Sequence, residues 1–114
     1  MKKYACILAF VVFFLNGLPA YPQSQPEMTA QSQADFDKAD ARLNKLYKET
    51  LAGLDAEGKM KLIASERAWL TYRDAEATFE ADSERGGSMA PMIYNQACLE
   101  LTEARIKQLG KASE

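Results

Sequence analysis

The chain has 114 residues, with 14 lysines and arginines, 16 aspartates and glutamates and no histidine, so its formal charge is −2. Without histidine, the commonest general base and the commonest metal ligand are both missing. The small acidic surplus also excludes the basic face that nucleic-acid-binding domains use, so we expect no nucleic-acid partner. A chain of this length forms one small domain with a limited core.

The first twenty residues have the layout of a secretory signal peptide. Two lysines precede an apolar run over residues 4–15, and polar and helix-breaking residues follow before Ala20. The run is shorter than the roughly 20 residues that a membrane-spanning helix needs, although an uncleaved anchor is an alternative. Cys6 lies inside the run, which is the wrong setting for a lipid-modified cysteine. We therefore predict a periplasmic or secreted protein, not a lipoprotein, with no stable membrane insertion after cleavage.

The remaining chain is predicted to be entirely helical. Helical periodicity covers residues 31–54, 56–84 and 91–109, with Asp55 as the cap of the second helix and two glycines at the end of it. Three amphipathic helices with short connections predict an all-α, up-down-up bundle, in which the long second helix is the central one. The predicted divisions are a signal peptide over 1–20, a flexible leader over 21–30, the helical domain over 31–109 and a frayed tail over 110–114.

Each helix carries one main apolar stripe. The stripes comprise Phe36, Leu43, Tyr47, Leu51 and Leu54 on the first helix, Leu62, Trp69, Tyr72 and Phe79 on the second, and Tyr94, Ala97, Cys98, Leu101 and Leu109 on the third. A second, outward stripe comprises Met92, Leu99 and Ile106 on the third helix and Ile63, Leu70 and Ala81 on the second. The outward stripes indicate either a partner surface, with a weak homodimer as one form of it, or ordinary surface residues.

A charged residue interrupts each main stripe. Asp40, Glu76 and Arg105 all point toward the predicted core, and Arg73 lies at its edge. Unpaired charges in a core are too costly to persist, so we predict that Arg105 bridges to Glu76 in one network with Asp40 and Arg73. The alternative is a pair of catalytic carboxylates, Asp40 and Glu76. The structural network is favoured because the arginine would keep both acids ionised, and no enzyme is predicted.

Two other candidate sites have weaker support. Trp69 and Tyr72 could form a platform for stacking sugars, but both lie on the predicted core face, which favours packing. Glu76 and Glu80, like Glu80 and Glu84, have the spacing of metal ligands on a helix. Such pairs are common on solvated helices and no histidine accompanies them, so no metal or cofactor is predicted.

Four blocks of sequence resemble the N-terminal domain of LprI-type lysozyme inhibitors. They are A-D-F-D-K-A-D-A-R-L-N-K-L-Y from Ala34, R-A-W-L-T-Y-R-D-A-E from Arg67, G-G-S-M-A-P from Gly86 and C-L-E-L-T-E-A-R from Cys98. The resemblance covers residues 27–109. It implies a small secreted helical domain that binds a lysozyme and blocks its sugar-binding cleft without catalysis.

The resemblance also identifies a departure and a candidate loop. Cysteines common in the family match Gln31, Ala77 and Cys98, of which this chain keeps only the last, so Cys98 is expected to be unpaired. The protruding element would be the loop of Arg85, Gly86, Gly87, Ser88 and Met89, although a plain helix connection with a cap is the favoured interpretation. Because the chain without residues 1–20 has 12 basic and 16 acidic residues, a charge of −4, a cationic lysozyme is the expected partner. The alternative is an envelope interaction or stress-protection module that inhibits nothing.

Overall fold

A computed structural model describes residues 22–112, so the predicted signal peptide lies outside the described residues. The chain forms α1 over Gln25–Ala52, α2 over Ala56–Ala81 and α3 over Ala90–Ala112, with a single 3-10 turn over Asp82–Glu84. No strand occurs in this part of the chain, and the all-α, three-helix prediction is confirmed. None of the helices within residues 22–112 has the length and apolarity needed to cross a membrane.

Helix α1 begins six residues earlier than expected. Ser24 caps it by accepting from the Glu27 amide at 3.4 Å, and the Glu27 carboxylate accepts from the Ser24 amide at 3.3 Å. This reciprocal pair satisfies two amides that would otherwise have no partner in the first turn, and Pro26 is tolerated there because it lacks an amide hydrogen. Residues 25–30, expected in a flexible leader, are therefore helical.

The joint between α1 and α2 follows the sequence closely. Helix α1 ends at Ala52, and Gly53 donates back to carbonyls of the last turn. The Asp55 carboxylate then accepts from the Gly58 amide at 2.8 Å and caps α2, as predicted. The chain thus reverses within three residues, which sets α2 antiparallel to α1.

Helix α3 lies between the other two helices. It packs extensively against α1, less so against α2, whereas α1 and α2 have little contact with each other. The helix that packs against both of the others is therefore α3, and not α2 as we expected. Helices α1 and α3 run parallel, as three side-chain contacts in register demonstrate: Ser88 with Gln25, Asn95 with Ser32 and Arg42 with Glu103.

The face that α2 turns inward differs from the predicted one. Leu62, Glu66, Trp69, Arg73 and Ala77 follow each other at steps of three and four residues, and they are buried or half-buried. Tyr72 and Phe79, which we predicted in the core, are 53% and 73% exposed. Leu62 and Trp69 lie on the inward face as predicted. Because this face also contains two charged side chains, hydropathy alone rotated the predicted stripe toward Tyr72 and Phe79.

Candidate functional site

A buried ion pair joins α3 to α2. The Arg105 guanidinium lies 3.0 Å from the Glu66 carboxylate, and both side chains are only about one-tenth exposed. Its Nε donates to the same carboxylate at 3.1 Å and its Nη2 donates to the Ser65 hydroxyl at 3.1 Å. The fork of donors on one arginine therefore satisfies a carboxylate that would otherwise be costly to bury.

The predicted partner of Arg105, Glu76, is not the observed one. Helix α3 runs antiparallel to α2, so the C-terminal part of α3 lies beside the N-terminal half of α2. Glu76 is ten residues beyond Glu66, roughly 15 Å along the helix. Glu76 is half-exposed and forms no ion pair with any residue in the described range. The helical periodicity correctly indicated that Arg105 faces a carboxylate of α2. It did not indicate how far α3 is shifted along α2, and this shift decides which carboxylate is the partner.

A second arginine joins α2 to α1. The Arg73 side chain is 10% exposed, and its Nη1 lies 3.1 Å from the Asp40 carboxylate. Its Nε donates to the neighbouring Asp74 at 2.9 Å. Burial lowers the pKa of Arg73, but the hydrogen bonds and charges of Asp74 and Asp40 outweigh it and raise that pKa. Arg73 is therefore a fixed cation.

Trp69 connects the two ion pairs. The Arg73 and Arg105 guanidinium carbons lie 5.3 and 5.8 Å from the Trp69 ring, and Arg73 also lies 5.0 Å from the Phe36 ring. Cations at these distances are attracted to the face of the ring. The ring is thus engaged by the arginines of the ionic network and is not a free platform for sugars. We refer to Glu66, Trp69, Arg73, Asp40 and Arg105 as the arginine–tryptophan cluster.

Both carboxylates of the arginine–tryptophan cluster are bound by arginines. The Asp40 carboxylate lies 3.1 Å from the Arg73 guanidinium, and the Glu66 carboxylate lies 3.0 Å from that of Arg105. Within residues 22–112, no group of three or more cysteine, aspartate or glutamate side chains is arranged to hold a metal ion. The cluster's chemistry is that of a structural connection.

Cys98 lies in the core beside Ala77. Ala77 and Cys98 are both fully buried and belong to the same cluster of packed side chains. Cys98 is a free thiol whose pKa is raised by burial. A protonated, inaccessible thiol is unreactive, so this cysteine acts as a small apolar residue.

The loop between α2 and α3 is exposed and internally connected. Arg85 donates to the Asp82 carboxylate through Nε at 2.7 Å and Nη2 at 2.6 Å, which lowers the pKa of Asp82. Ser88 donates to the Gln25 side chain at 3.0 Å. Gly86 has a φ of 75°, a conformation that favours glycine, and no atom lies near the place of a Cβ. The two predicted hydrogen-bonding side chains of the loop therefore already hold its shape.

Charge is divided unequally between the two ends of the bundle. We define the loop end as residues 22–39 and 74–97, and the far end as residues 40–73 and 98–112; the Asp40–Arg73 ion pair marks the boundary. The loop end has eight acidic and two basic residues, a net charge of −6. The far end has seven acidic and ten basic residues, a net charge of +3. The exposed loop thus lies at a strongly acidic end of the molecule.

Comparison with known proteins agrees with this description. The profile of the family described as lysozyme inhibitor LprI matches residues 19–109. An uncharacterised protein of Rhizobium meliloti (strain 1021) is 32% identical over 104 residues, which cover 80% of this chain and 75% of the relative. No solved structure matches the chain. From the family match, its extent and the similarity of the relative, we conclude that the chain belongs to the LprI family of lysozyme inhibitors.

Proposed function

We propose that this protein is an exported, non-catalytic inhibitor that binds a cationic lysozyme with the loop end of its bundle. Membership of the LprI family supports the class of target. The observation that carries the choice of surface is the charge of −6 at the loop end, against +3 at the far end. An acidic surface attracts and orients a cationic partner before contact.

The acidic residues of the loop end surround the loop on more than one side. Its acidic members are Glu27, Asp35 and Asp37 on α1, Asp74, Glu76 and Glu80 on α2, and Asp82 and Glu84 in the 3-10 turn. Apart from Asp74 and Asp82, which pair with arginines, none forms an ion pair with another described residue. Most of this charge is therefore available to a partner. At physiological ionic strength, the electrostatic attraction between this charge and a partner extends over roughly 8 Å. Its contribution to the binding affinity should therefore fall as salt is added.

The loop itself supplies a protruding element of defined shape. The Arg85–Asp82 and Ser88–Gln25 contacts connect it to the 3-10 turn and to α1. A loop held in one conformation loses less entropy on binding than a free one. We propose that Gly86 and Gly87 enter the partner's cleft, where their lack of side chains allows the backbone to approach closely, while Met89 is half-buried at the base.

Lysis of a cell-wall suspension tests this function directly. The purified protein is titrated against c-, g- and i-type lysozymes, and clearing of the suspension is followed at low and at physiological salt. We expect saturable inhibition of at least one class near equal molar amounts, weaker at the higher salt. Failure to inhibit any class at a large excess would contradict the proposal and leave a non-inhibitory envelope module as the alternative.

Loop variants then test the surface. Gly86→Val introduces a branched side chain at a positive φ and fills the space in front of the loop, so inhibition should fall at least tenfold. Gly53→Ala is the matched control, because Gly53 lies at the far end, where an added Cβ meets only ordinary contacts. Equal inhibition by the Gly86→Val variant and the wild type, both folded by circular dichroism, would exclude the loop from the interface.

A further inference from the structure

The outward face of α2 is uncharged for most of its length. Between Lys61 and Asp82 this face consists of Ala64, Ala68, Thr71, Tyr72, Ala75, Thr78 and Phe79. All are exposed, and no other element within residues 22–112 covers them. We call these residues the outer α2 face. It lies opposite the inward face of α2, with its helix-wheel centre near Ala68 and Ala75.

The outer α2 face is more apolar than its composition suggests. The Thr71 hydroxyl donates to the Arg67 carbonyl at 3.2 Å, and the Thr78 hydroxyl donates to the Asp74 carbonyl at 2.7 Å. Both hydroxyls are therefore turned back onto the helix, which leaves the methyl groups outward. Phe79, 73% exposed, is the most exposed large apolar side chain among the described residues. Contiguous apolar surface of this kind indicates an interaction site.

The outer α2 faces of two copies are complementary when the two α2 helices pack antiparallel. An axis between Thr71 and Tyr72 places Phe79 of one copy opposite Ala64 of the other. It also places Ala68 opposite Ala75, so two small residues face each other one turn to either side of the axis. A large side chain then meets a small one at each end, which allows close packing without a clash.

Charges at both ends of the outer α2 face favour the same arrangement. Lys61 is bound to Glu57 at 2.8 Å, and Asp82 is bound to Arg85 at 2.6 Å, both at exposed positions. The antiparallel arrangement brings Lys61 opposite Asp82, and Glu57 opposite the region of Arg85. On a larger scale, it places the loop end of each copy, with its charge of −6, beside the far end of the other, with its charge of +3. A parallel arrangement would place like charges together.

From this pattern we infer that two copies of the protein associate through their outer α2 faces, as an antiparallel, two-fold symmetric dimer. The partner is a second copy because, in the antiparallel arrangement, large side chains of one face lie opposite small side chains of the other and basic residues lie opposite acidic ones. The site is separate from the loop, so the inference stands independently of lysozyme inhibition.

Sedimentation of the purified protein over a wide concentration range tests the inference. We expect a reversible dimer whose dissociation constant rises about tenfold or more in the Phe79→Glu variant. Leu70→Glu is the control, since Leu70 lies on another side of α2 and is 37% exposed. Circular dichroism checks that both variants are folded. We expect the Phe79→Glu variant to fold, because the Phe79 side chain is 73% exposed.

A charge exchange tests the orientation. Lys61→Glu and Asp82→Lys should each weaken the dimer, and the double variant should restore it because opposite charges face each other again. In a separate measurement, the Ala68→Cys/Ala75→Cys variant should form a disulfide-linked dimer on mild oxidation, whereas either single variant should not.

Three results would overturn the inference. They are a wild-type protein that is monomeric at every concentration, a Phe79→Glu variant that dimerises normally, and a double charge exchange that fails to recover association. A monomeric protein whose Phe79→Glu variant loses lysozyme binding would instead assign the outer α2 face to the lysozyme.

Discussion

The two ends of the bundle differ in what their charged residues do. At the far end, Arg105 and Glu66 are buried and bound to each other, and Arg105 contacts Trp69. At the loop end, most acidic side chains face solvent and have no ion-pair partner among the described residues. The buried charges of the far end therefore stabilise the fold, whereas the exposed acidic charge of the loop end is available to another molecule.

This difference has a physical consequence for mutation. Removing one partner of a buried ion pair leaves the other charge unsatisfied and costs several kcal/mol. Removing an exposed charge costs little stability and can even relieve repulsion between like charges. Changes to the buried ion pairs should therefore reduce stability, and changes to the exposed acidic residues of the loop end should reduce binding. The predictions below test that separation, starting with the largest effect.

Arg105→Ala should have the largest effect on stability. It removes the guanidinium from Glu66, whose side chain is 10% exposed, and it removes a contact with Trp69. We expect a loss of about 3–5 kcal/mol, measured by urea denaturation, which would unfold much of so small a domain. Arg42→Ala is the control, because Arg42 pairs with Glu103 at 3.6 Å on the surface and should cost at most about 1 kcal/mol. Equal losses in the two variants would show that burial of the pair does not matter.

Ala77→Cys should stabilise the protein by restoring a cysteine pair that is common in the family. Ala77 and Cys98 are buried in one cluster, so a disulfide between α2 and α3 is expected on oxidation. Closing a loop of about 22 residues should add about 3 kcal/mol, read as a higher melting temperature under oxidising conditions only. The variant is refolded under oxidising conditions, because both positions are buried in the folded protein. Two thiols that stay free after this refolding would contradict the observed register of α2 on α3.

Trp69→Leu should have an intermediate effect. Leucine keeps an apolar side chain at the boundary of the two ends but removes the ring that both arginines face. Loss of two cation–π contacts should cost about 1–2 kcal/mol. Arg105→Lys is introduced into the wild type and into the Trp69→Leu variant to isolate the contact between Arg105 and the ring. The loss in free energy of unfolding caused by Arg105→Lys should be smaller in the Trp69→Leu variant. Additive costs would mean that the ring and Arg105 act independently.

Arg85→Ala should have the smallest effect on stability. Arg85 pairs with Asp82 in a solvent-exposed position, so the change should cost little stability. It also removes the two hydrogen bonds that connect the loop to the 3-10 turn. Because the loop then loses more entropy on binding, we expect nearly unchanged melting and weaker inhibition of a cationic lysozyme. A large drop in melting temperature would show that the loop contributes to the fold.

The sequence was most informative where local chemistry determines structure. The number of helices and the Asp55 cap follow from periodicity and capping rules, and both are observed. The early start of α1 was readable too, from Ser24 and Glu27 in capping-box spacing, but nearby prolines led us to expect a flexible leader. Proline in the first turn of a helix is compatible with it, and this rule should have had priority.

The sequence was least informative where contacts join distant helices. Asp40 and Arg73 were expected in one network with Glu76 and Arg105, whereas Arg73 binds Asp40 and Arg105 binds Glu66 in two separate ion pairs. Periodicity identifies which face a residue occupies, whereas the partner depends on how far one helix is shifted along another. That shift is decided by packing of the whole bundle, which no single helix encodes.

The most direct test of the central claim compares neutralised acids at the two ends. One variant carries Glu76→Gln, Glu80→Gln and Glu84→Gln at the loop end, and the other carries Glu49→Gln, Glu57→Gln and Glu103→Gln at the far end. Both change the net charge equally, and calorimetry measures their binding to an inhibited lysozyme. We predict that the loop-end variant binds at least tenfold more weakly and that the far-end variant binds nearly as the wild type does. Equal weakening by both variants would contradict the account, because only net charge, and not the loop end, would then attract the partner.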